Sequence, residues 1–270
     1  MKNKPLKDLK QEFIRQNIKA VTFDIDGVII PVGTFLRENI DGTELTIKTH
    51  KLSAKMLEMI LELKKHFWVN FSSGRSLLYL QSMLNDILWD RVSLTAENGN
   101  FILMNGEVRQ LAKYDQNYFQ KLTNIRNDLK KLKAKKPEMV YGFEPKHVIL
   151  TVHTASQMPE VKEIVKKHDK EKELYCLWTS EGYDIGHKKT NKNTALQYLV
   201  KKLKIKPKQM ITTGNNQNDK EMLDFGIGVS VDPAQVSAPY AIQKKEGELG
   251  GEILAEYLLS AKKKYRKHMY

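Results

Sequence analysis

Five short apolar runs in this chain each give way to polar or glycine residues, and helix-length amphipathic stretches separate most of them. Parallel strands cannot be joined by a tight turn and usually use a helix as the crossover. The alternation therefore predicts an α/β chain with a mainly parallel sheet. The first run, "AVTF", ends at Asp24, with Asp26 and Gly27 close behind. "FWVNFSSGRS" gives a second strand ending in Ser72 and Ser73, and "VSLTAENG" a third that stops at Glu97-Asn98-Gly99. "QMITTGNNQND" and "FGIGVSVD" read as the fourth and fifth. Between the first two, a helix over Ser53 to Lys65 places Met56, Leu57, Ile60 and Leu61 on one face, with Ser53 as its cap.

The rhythm changes between residues 111 and 183. A long helix near Asn117 to Lys133 precedes the strands "EMVYGFE" and "HVILTVHT". A second helix, from Pro159 to about His168, precedes "ELYCLWT" and "GYDIG". Helix, two strands, helix, two strands is a compact α+β unit, expected to be an insert closing over the core. The expected division is residues 1–110 and 184–270 for the core and 111–183 for the insert. In "HVILTVHT" the alternation sends Val148, Leu150 and Val152 toward the insert's helices. Thr151 and His153 then face the other way, as candidate substrate contacts or as part of a solvent-facing strand.

Composition narrows the classes. At 270 residues and 41% hydrophobic content the chain can bury a sizeable core. No apolar run is long enough to cross a bilayer, the N-terminus lacks an apolar leader, and a cytoplasmic location is expected. The single cysteine, Cys176, excludes an internal disulfide framework and a cysteine-based zinc site. The net charge of +13 comes from 38 lysines against 7 arginines. Scattered lysines suit solvated helix faces and a frayed basic tail rather than nucleic-acid readout. The positive field still favours a small anionic ligand.

In an open parallel sheet, ligands bind beyond the carboxyl ends of the strands. Those ends deliver Asp24 and Asp26, then Ser73-Gly74-Arg75, then Gly214, Asn215, Asn218 and Asp219. Lys192 stands at the start of a helix carrying Ala195, Leu196, Leu199 and Leu203. Carboxylates, one lysine, a hydroxyl and glycine-rich backbone suit a hard divalent cation together with phosphate.

Four motifs in order, "FDIDGV", "FSSGRS", "NKNTAL" and "TGNNQND", with echoes at "AENG" and "EGYDIG", resemble those of the haloacid dehalogenase-like (HAD) superfamily of phosphohydrolases. The likeness runs from Lys19 to about Leu259 and is narrower toward the group with a large α/β cap, which contains Cof-type and sucrose-phosphate phosphatases. It implies a Rossmann-like core with an inserted α+β cap. It also implies a magnesium-dependent phosphatase acting on a small phosphorylated metabolite, a sugar or sugar-acid phosphate, as a monomer or homodimer. On that resemblance Asp24 is the nucleophile that takes the phosphoryl group, and Asp26 is the acid and base for leaving group and water. Ser73, Gly74 and Asn218 hold phosphate, and Arg75 either contacts phosphate or ties its loop to Glu97. Lys192, which competes with Lys188 and Lys189 in a lysine-rich loop, neutralises nucleophile and phosphate together. Magnesium is held by Asp24, the Asp26 carbonyl and Asn215, with Asp219 orienting bound water.

Two departures stand out. Asn215 occupies a position where the family usually has a metal-binding aspartate, so one negative charge is lost. The segment after Gly27 carries an Asp41-Gly42 turn that predicts a β-hairpin flap, similar to that of small uncapped sugar-acid phosphatases, which assemble as tetramers. A sugar phosphomutase and a catalytically weak relative binding phospholigands or nucleic acid remain the alternative functions.

Overall fold

The computed structural model describes residues 3–266. The end of the basic tail, 267–270, lies outside the described residues. The chain divides into two compact units, one of Met1–Val32, Lys51–Leu111 and Asn191–Tyr270, the other of Gly33–His50 and Ala112–Thr190.

The first unit is built on a nine-stranded sheet. Its spatial order is Lys4–Pro5, Tyr240–Ala241, Ile227–Ser230, Met210–Gly214, Ala20–Asp24, Trp68–Ser72, Val92–Ala96, Phe101–Met104 and Glu107–Gln110. The first seven run parallel and the last two add antiparallel strands at one edge. All five strands expected from the sequence are present. The two edge strands were not anticipated, because "FILMNGEVRQ" is a hairpin signal rather than another crossover.

Alternation along the central strand Ala20–Asp24 assigns its two faces different chemistry. Val21 and Phe23 join Val69, Phe71, Leu94 and Val229 in an oily core with helices Ala54–Lys64 and Gly250–Arg266. Phe23 and Phe71 stack at 6.3 Å between ring centroids, and truncating either to alanine would cost about 3–5 kcal/mol. The opposite face carries Ala20, packed with Leu196 and Leu199 of helix Lys192–Leu203. Beyond Ala20 it turns polar. Asn70 donates to Thr22 at 3.4 Å and accepts from Ser93 at 2.8 Å and Thr95 at 3.2 Å. Satisfied in this way, the layer is tolerable in the interior, and it leads directly to Asp24.

Helix Ala54–Lys64 starts where expected, with the Ser53 hydroxyl accepting from the Met56 amide at 3.0 Å. Its buried face is Met56, Met59, Ile60 and Leu63, whereas Leu61 is exposed. Of the expected face, Met56 and Ile60 lie in the core and Leu57 packs against its edge, while Met59 and Leu63 take the place of Leu61, since positions 56, 59, 60 and 63 repeat at the helical period.

The second unit has a four-stranded antiparallel sheet in the order Leu174–Trp178, Gly182–His187, Leu150–Thr154 and Val140–Glu144. Helices Gln116–Lys135 and Pro159–His168 cover it through Ile125, Leu129, Val161 and Val165, packed against Val140, Val152, Tyr183 and Ile185. The unit extends to Thr190 rather than 183, because Gly182–His187 is a strand of its sheet, paired over 182–185 with Leu150–His153 and over 183–187 with Leu174–Trp178. It also claims the flap expected to belong to the core. That flap is a hairpin, Phe35–Glu38 with Leu45–Lys48. Glu38 meets Lys133 at 2.7 Å, and the Arg37 guanidinium lies 3.3 Å from the centre of the Tyr141 ring.

Candidate active site

In the first unit, three charged side chains meet where the sheet's carboxyl edge faces the start of helix Lys192–Leu203. The Lys192 ammonium donates to Asp24 Oδ1 at 2.6 Å and to Asp219 Oδ1 at 2.6 Å. All three side chains are buried. Asn191 caps the helix, its side chain accepting from the Asn193 amide, with Thr194 closing a reciprocal box. That start directs Lys192 inward from the first turn. Lys188 and Lys189 competed for this role in the sequence. They donate instead to the carbonyls of Lys172 and Lys113 within the second unit.

Burial drives the Asp24 carboxyl up to about 7, and the neighbouring Asp219 adds to the rise; the Lys192 ammonium pulls the other way. Burial likewise works against the charge on Lys192, but Asp219 and Asp24 outweigh it and its ammonium is held more tightly than an ordinary lysine's. Asp219 is saturated by protein. Its second oxygen accepts from the amides of Asn215 at 2.9 Å and Asn216 at 3.2 Å. It thus anchors both the lysine and the loop that presents Asn215.

Asp26 lies near the Asp24 group but has a different partner. Arg75 grips its carboxylate with both arms, Nε to Oδ2 at 2.9 Å and Nη2 to Oδ1 at 2.5 Å. Such a fork fixes a carboxylate in direction as well as position. The guanidinium also lies 4.5 Å from the centre of the Tyr79 ring. In the sequence Arg75 had two readings, a phosphate contact or a tie to Glu97. The structure adds this third partner, and supplies the tie through the main chain, with the Glu97 amide donating to the Arg75 carbonyl. Ser73 is buried beside it, its hydroxyl accepting from the Arg75 amide at 3.2 Å across the Gly74 turn. Asn218 belongs to the short turn Gln217–Asp219, next to Asp219.

The atoms nominated for magnesium are oxygen donors suited to a hard cation. Asn215 Nδ2 donates to the Asp26 carbonyl at 3.0 Å, so the amide already reaches the oxygen beside which a cation would lie. A half-turn of that amide would present its oxygen instead. Gly27 makes the approach possible, since a Cβ there would be 2.3 Å from Asn215 Nδ2. The donor set therefore fits magnesium, with one carboxylate, Asp24, free of a saturating protein shell. A different acidic group, Asp169, Glu171 and Glu173, also has ligand-like spacing. The Lys121 ammonium fills it, at 2.7 Å from Glu171 and 2.9 Å from Glu173.

Thr151 and His153 are in the second unit, within a separate buried network. The Lys146 ammonium lies 2.6 Å from Thr151 Oγ1, 3.2 Å from Asp184 and 3.3 Å from Glu144. Thr151 donates to Asp184, and His153 Nε2 is 3.4 Å from Glu144. Both candidates are buried, so the solvent-facing alternative does not hold. Lys146, Glu144 and Asp184 were missed in the sequence. Asp184 stands inside "EGYDIG", and "FEPKH" places Glu144 and Lys146 two apart, the only local signal available.

Residues 112–241 match the family model of the haloacid dehalogenase-like hydrolases. No curated protein sequence matches the chain significantly. Among solved structures, the C-terminal domain of trehalose-6-phosphate phosphatase from C. albicans aligns with a TM-score of 0.70 at 19% identity, covering 96% of this chain and 98% of that one. Trehalose-6-phosphate phosphatase from Aspergillus fumigatus aligns at 0.60 and 18%, covering 95% and 98%. A Plasmodium vivax protein assigned as a HAD/COF-like hydrolase aligns at 0.64 and 14%, covering 93% and 99%. The four motifs stand at the strand ends of a fold shared with these structures, and residues 112–241 are similar to the haloacid dehalogenase-like hydrolases.

Proposed function

We propose that the protein is a magnesium-dependent phosphatase hydrolysing a small phosphate monoester, a sugar or sugar-acid phosphate, through an aspartyl-phosphate at Asp24. The observation that carries this reading is the buried bridge of Lys192 between Asp24 and Asp219. A cation locked against a carboxylate at a strand end is an arrangement for receiving a phosphoryl group, because phosphoryl transfer depends on charge placed before the reaction begins.

In the first half-reaction an Asp24 oxygen bonds to phosphorus as the ester P–O bond breaks, and Asp26, with one oxygen released from Arg75 and carrying a proton taken from solvent, gives that proton to the leaving alkoxide. In the second, water attacks phosphorus, Asp26 takes its proton, and the Asp24–phosphorus bond breaks to give inorganic phosphate. Ser73 and the Gly74 amide hold phosphate oxygens, and Arg75 aims the Asp26 carboxylate. Magnesium held by Asp24, the Asp26 carbonyl and Asn215 would add positive charge to the phosphate oxygens. Sugar recognition is assigned to the second unit's network of Lys146, Thr151, His153, Glu144 and Asp184, whose charged and hydroxyl groups match a polyhydroxylated ligand. That the similar folds include trehalose-6-phosphate phosphatases supports the sugar-phosphate class.

A second reading, a phospholigand-binding relative with weak turnover, is favoured by one contact: the Asn215 amide donates to an oxygen nominated for magnesium. Phosphate release measured across sugar phosphates, phosphoglycolate and nucleotides, with magnesium varied, decides between them. Turnover without a bisphosphate activator supports the phosphatase and excludes a mutase. Saturable binding without turnover at any magnesium concentration supports the second reading.

A further inference from the structure

Glu97, Asn98 and Gly99 follow one another in the left-handed backbone region, with φ of 50°, 54° and 90°. L-residues with side chains pay roughly 1–2 kcal/mol each there, and such strain persists only where the surroundings over-determine it. The surroundings here are two segments of the candidate site. The Asn98 amide donates to the Ser73 carbonyl at 3.1 Å and the Glu97 amide to the Arg75 carbonyl at 3.0 Å, so both ends of Ser73-Gly74-Arg75 are held. On its other side the loop abuts the start of the lysine helix. A Cβ built on Gly99 would be 2.0 Å from the Asn191 carbonyl oxygen and 3.3 Å from Lys192 Cα. The loop is closed on itself by Asn100 Nδ2, which donates to the Glu97 carbonyl at 2.7 Å. All of it is buried.

We propose that Glu97-Asn98-Gly99 is a positioning brace, a rigid spacer that fixes the Ser73–Arg75 loop and Lys192 relative to each other. The inference rests on the phosphatase reading, in that it assigns the brace the task of matching the Ser73 hydroxyl and the Lys192 ammonium to one phosphate. Lys192 reaches Asp24 from 168 residues away in sequence, and Ser73 comes from a different strand. Neither element by itself sets the gap between hydroxyl and ammonium; the brace touches both. Reactions of this kind lose rate steeply when a group is displaced by about 1 Å.

Gly99→Ala wedges the brace against Asn191, whereas Asn98→Gly relieves a left-handed φ and keeps every main-chain N–H group, the Asn98 amide to Ser73 included. With p-nitrophenyl phosphate at saturating magnesium, kcat/KM is expected to fall at least 30-fold in Gly99→Ala and less than 3-fold in Asn98→Gly. In a Lys192→Ala background, Gly99→Ala should cost no more than a further 3-fold, because the brace acts through the lysine. A merely structural glycine would lower Tm and give the same factor in both backgrounds; that result, or full kcat/KM in Gly99→Ala, overturns the proposal. Should Gly99→Ala prove insoluble, Thr194→Ala loosens Asn191 from the other side, and a loss of 5-fold or more that vanishes with Lys192→Ala is then required. If the wild type hydrolyses no monoester, the phosphatase reading fails and the affinity for inorganic phosphate in magnesium judges the brace. Binding at least tenfold weaker in Gly99→Ala sustains it, and equal binding, or none by either protein, ends it.

Discussion

Each unit of the molecule buries a lysine between two carboxylates, and the two arrangements differ in what holds them. In the first, Lys192 lies between Asp24 and Asp219, each delivered by a strand end or helix start whose direction is set by a parallel sheet. In the second, Lys146 lies between Asp184 and Glu144 on a face of an antiparallel sheet, with Thr151 and His153 beside them. The parallel arrangement concentrates charge at one edge, where successive crossovers repeat the same polarity. The antiparallel one spreads it over a surface, where any alternate position can contribute. One geometry suits a fixed reaction, the other a variable recognition surface.

The sharpest way to break this comparison is Asp24→Asn. It preserves shape and removes the proposed nucleophile's charge, so phosphate release should fall by about four orders of magnitude with an unchanged circular dichroism spectrum. Retention of most activity would leave the two lysine networks without the contrast in role drawn here. Lys146→Met addresses the other side. Removing the ammonium leaves Asp184 and Glu144 buried against each other, and breaking a buried pair in this way costs about 3–5 kcal/mol. The second unit should lose stability in chemical denaturation, and KM for sugar phosphates should rise far more than KM for p-nitrophenyl phosphate. Equal changes for both substrates would remove the network from recognition.

Two smaller effects refine the core. Asn215→Asp adds a carboxylate to the proposed magnesium set and should tighten the apparent magnesium constant by about one order of magnitude, given how few protein charges would hold this ion. Identical magnesium titrations would take Asn215 out of the metal site. The smallest effect is thermal. Asp24 in the folded, metal-free protein titrates near 7, well above its ordinary value of 3.8. Between those values the folded state keeps a proton that the unfolded chain releases, so this group's contribution is full below 3.8 and is lost as pH rises through 7. Asp24→Asn lacks the titration. Its Tm relative to wild type should therefore climb between pH 4 and 8, by about 2–4 °C for each kcal/mol involved. A constant difference would mean that Asp24 is not a strained charge.

The core arrangement was legible because its residues recur beside strand ends, where "FDIDGV", "FSSGRS" and "NKNTAL" announce themselves over a few positions each. The second network was not, since Glu144 and Asp184 belong to strands 40 residues apart, Lys146 to the loop after the first of them, and no spacing rule links them. Thr151 and His153 were found from alternation alone, which gives a face but not what lies on it. The hairpin's allegiance was equally hidden: Glu38 finds Lys133 across 95 residues, and nothing in "FLRENIDGTELTIK" points there. Even the places of Met59 and Leu63 needed three dimensions, because Leu61 is as apolar as the residues that pack.

The order of strands in the large sheet has a consequence for how the chain is made. Ala20–Asp24 lies between Trp68–Ser72 and Met210–Gly214, so one flank of the most central strand has no partner until residue 214 has left the ribosome. Residues 112–190, by contrast, carry nearly all of their own interior and are synthesised earlier. Domains tend to close as their sequence emerges, and exposed strand edges invite aggregation meanwhile. The nascent protein therefore spends its synthesis with a finished insert and an unfinished sheet, and the interval between residues 24 and 214 is when a chaperone would matter most.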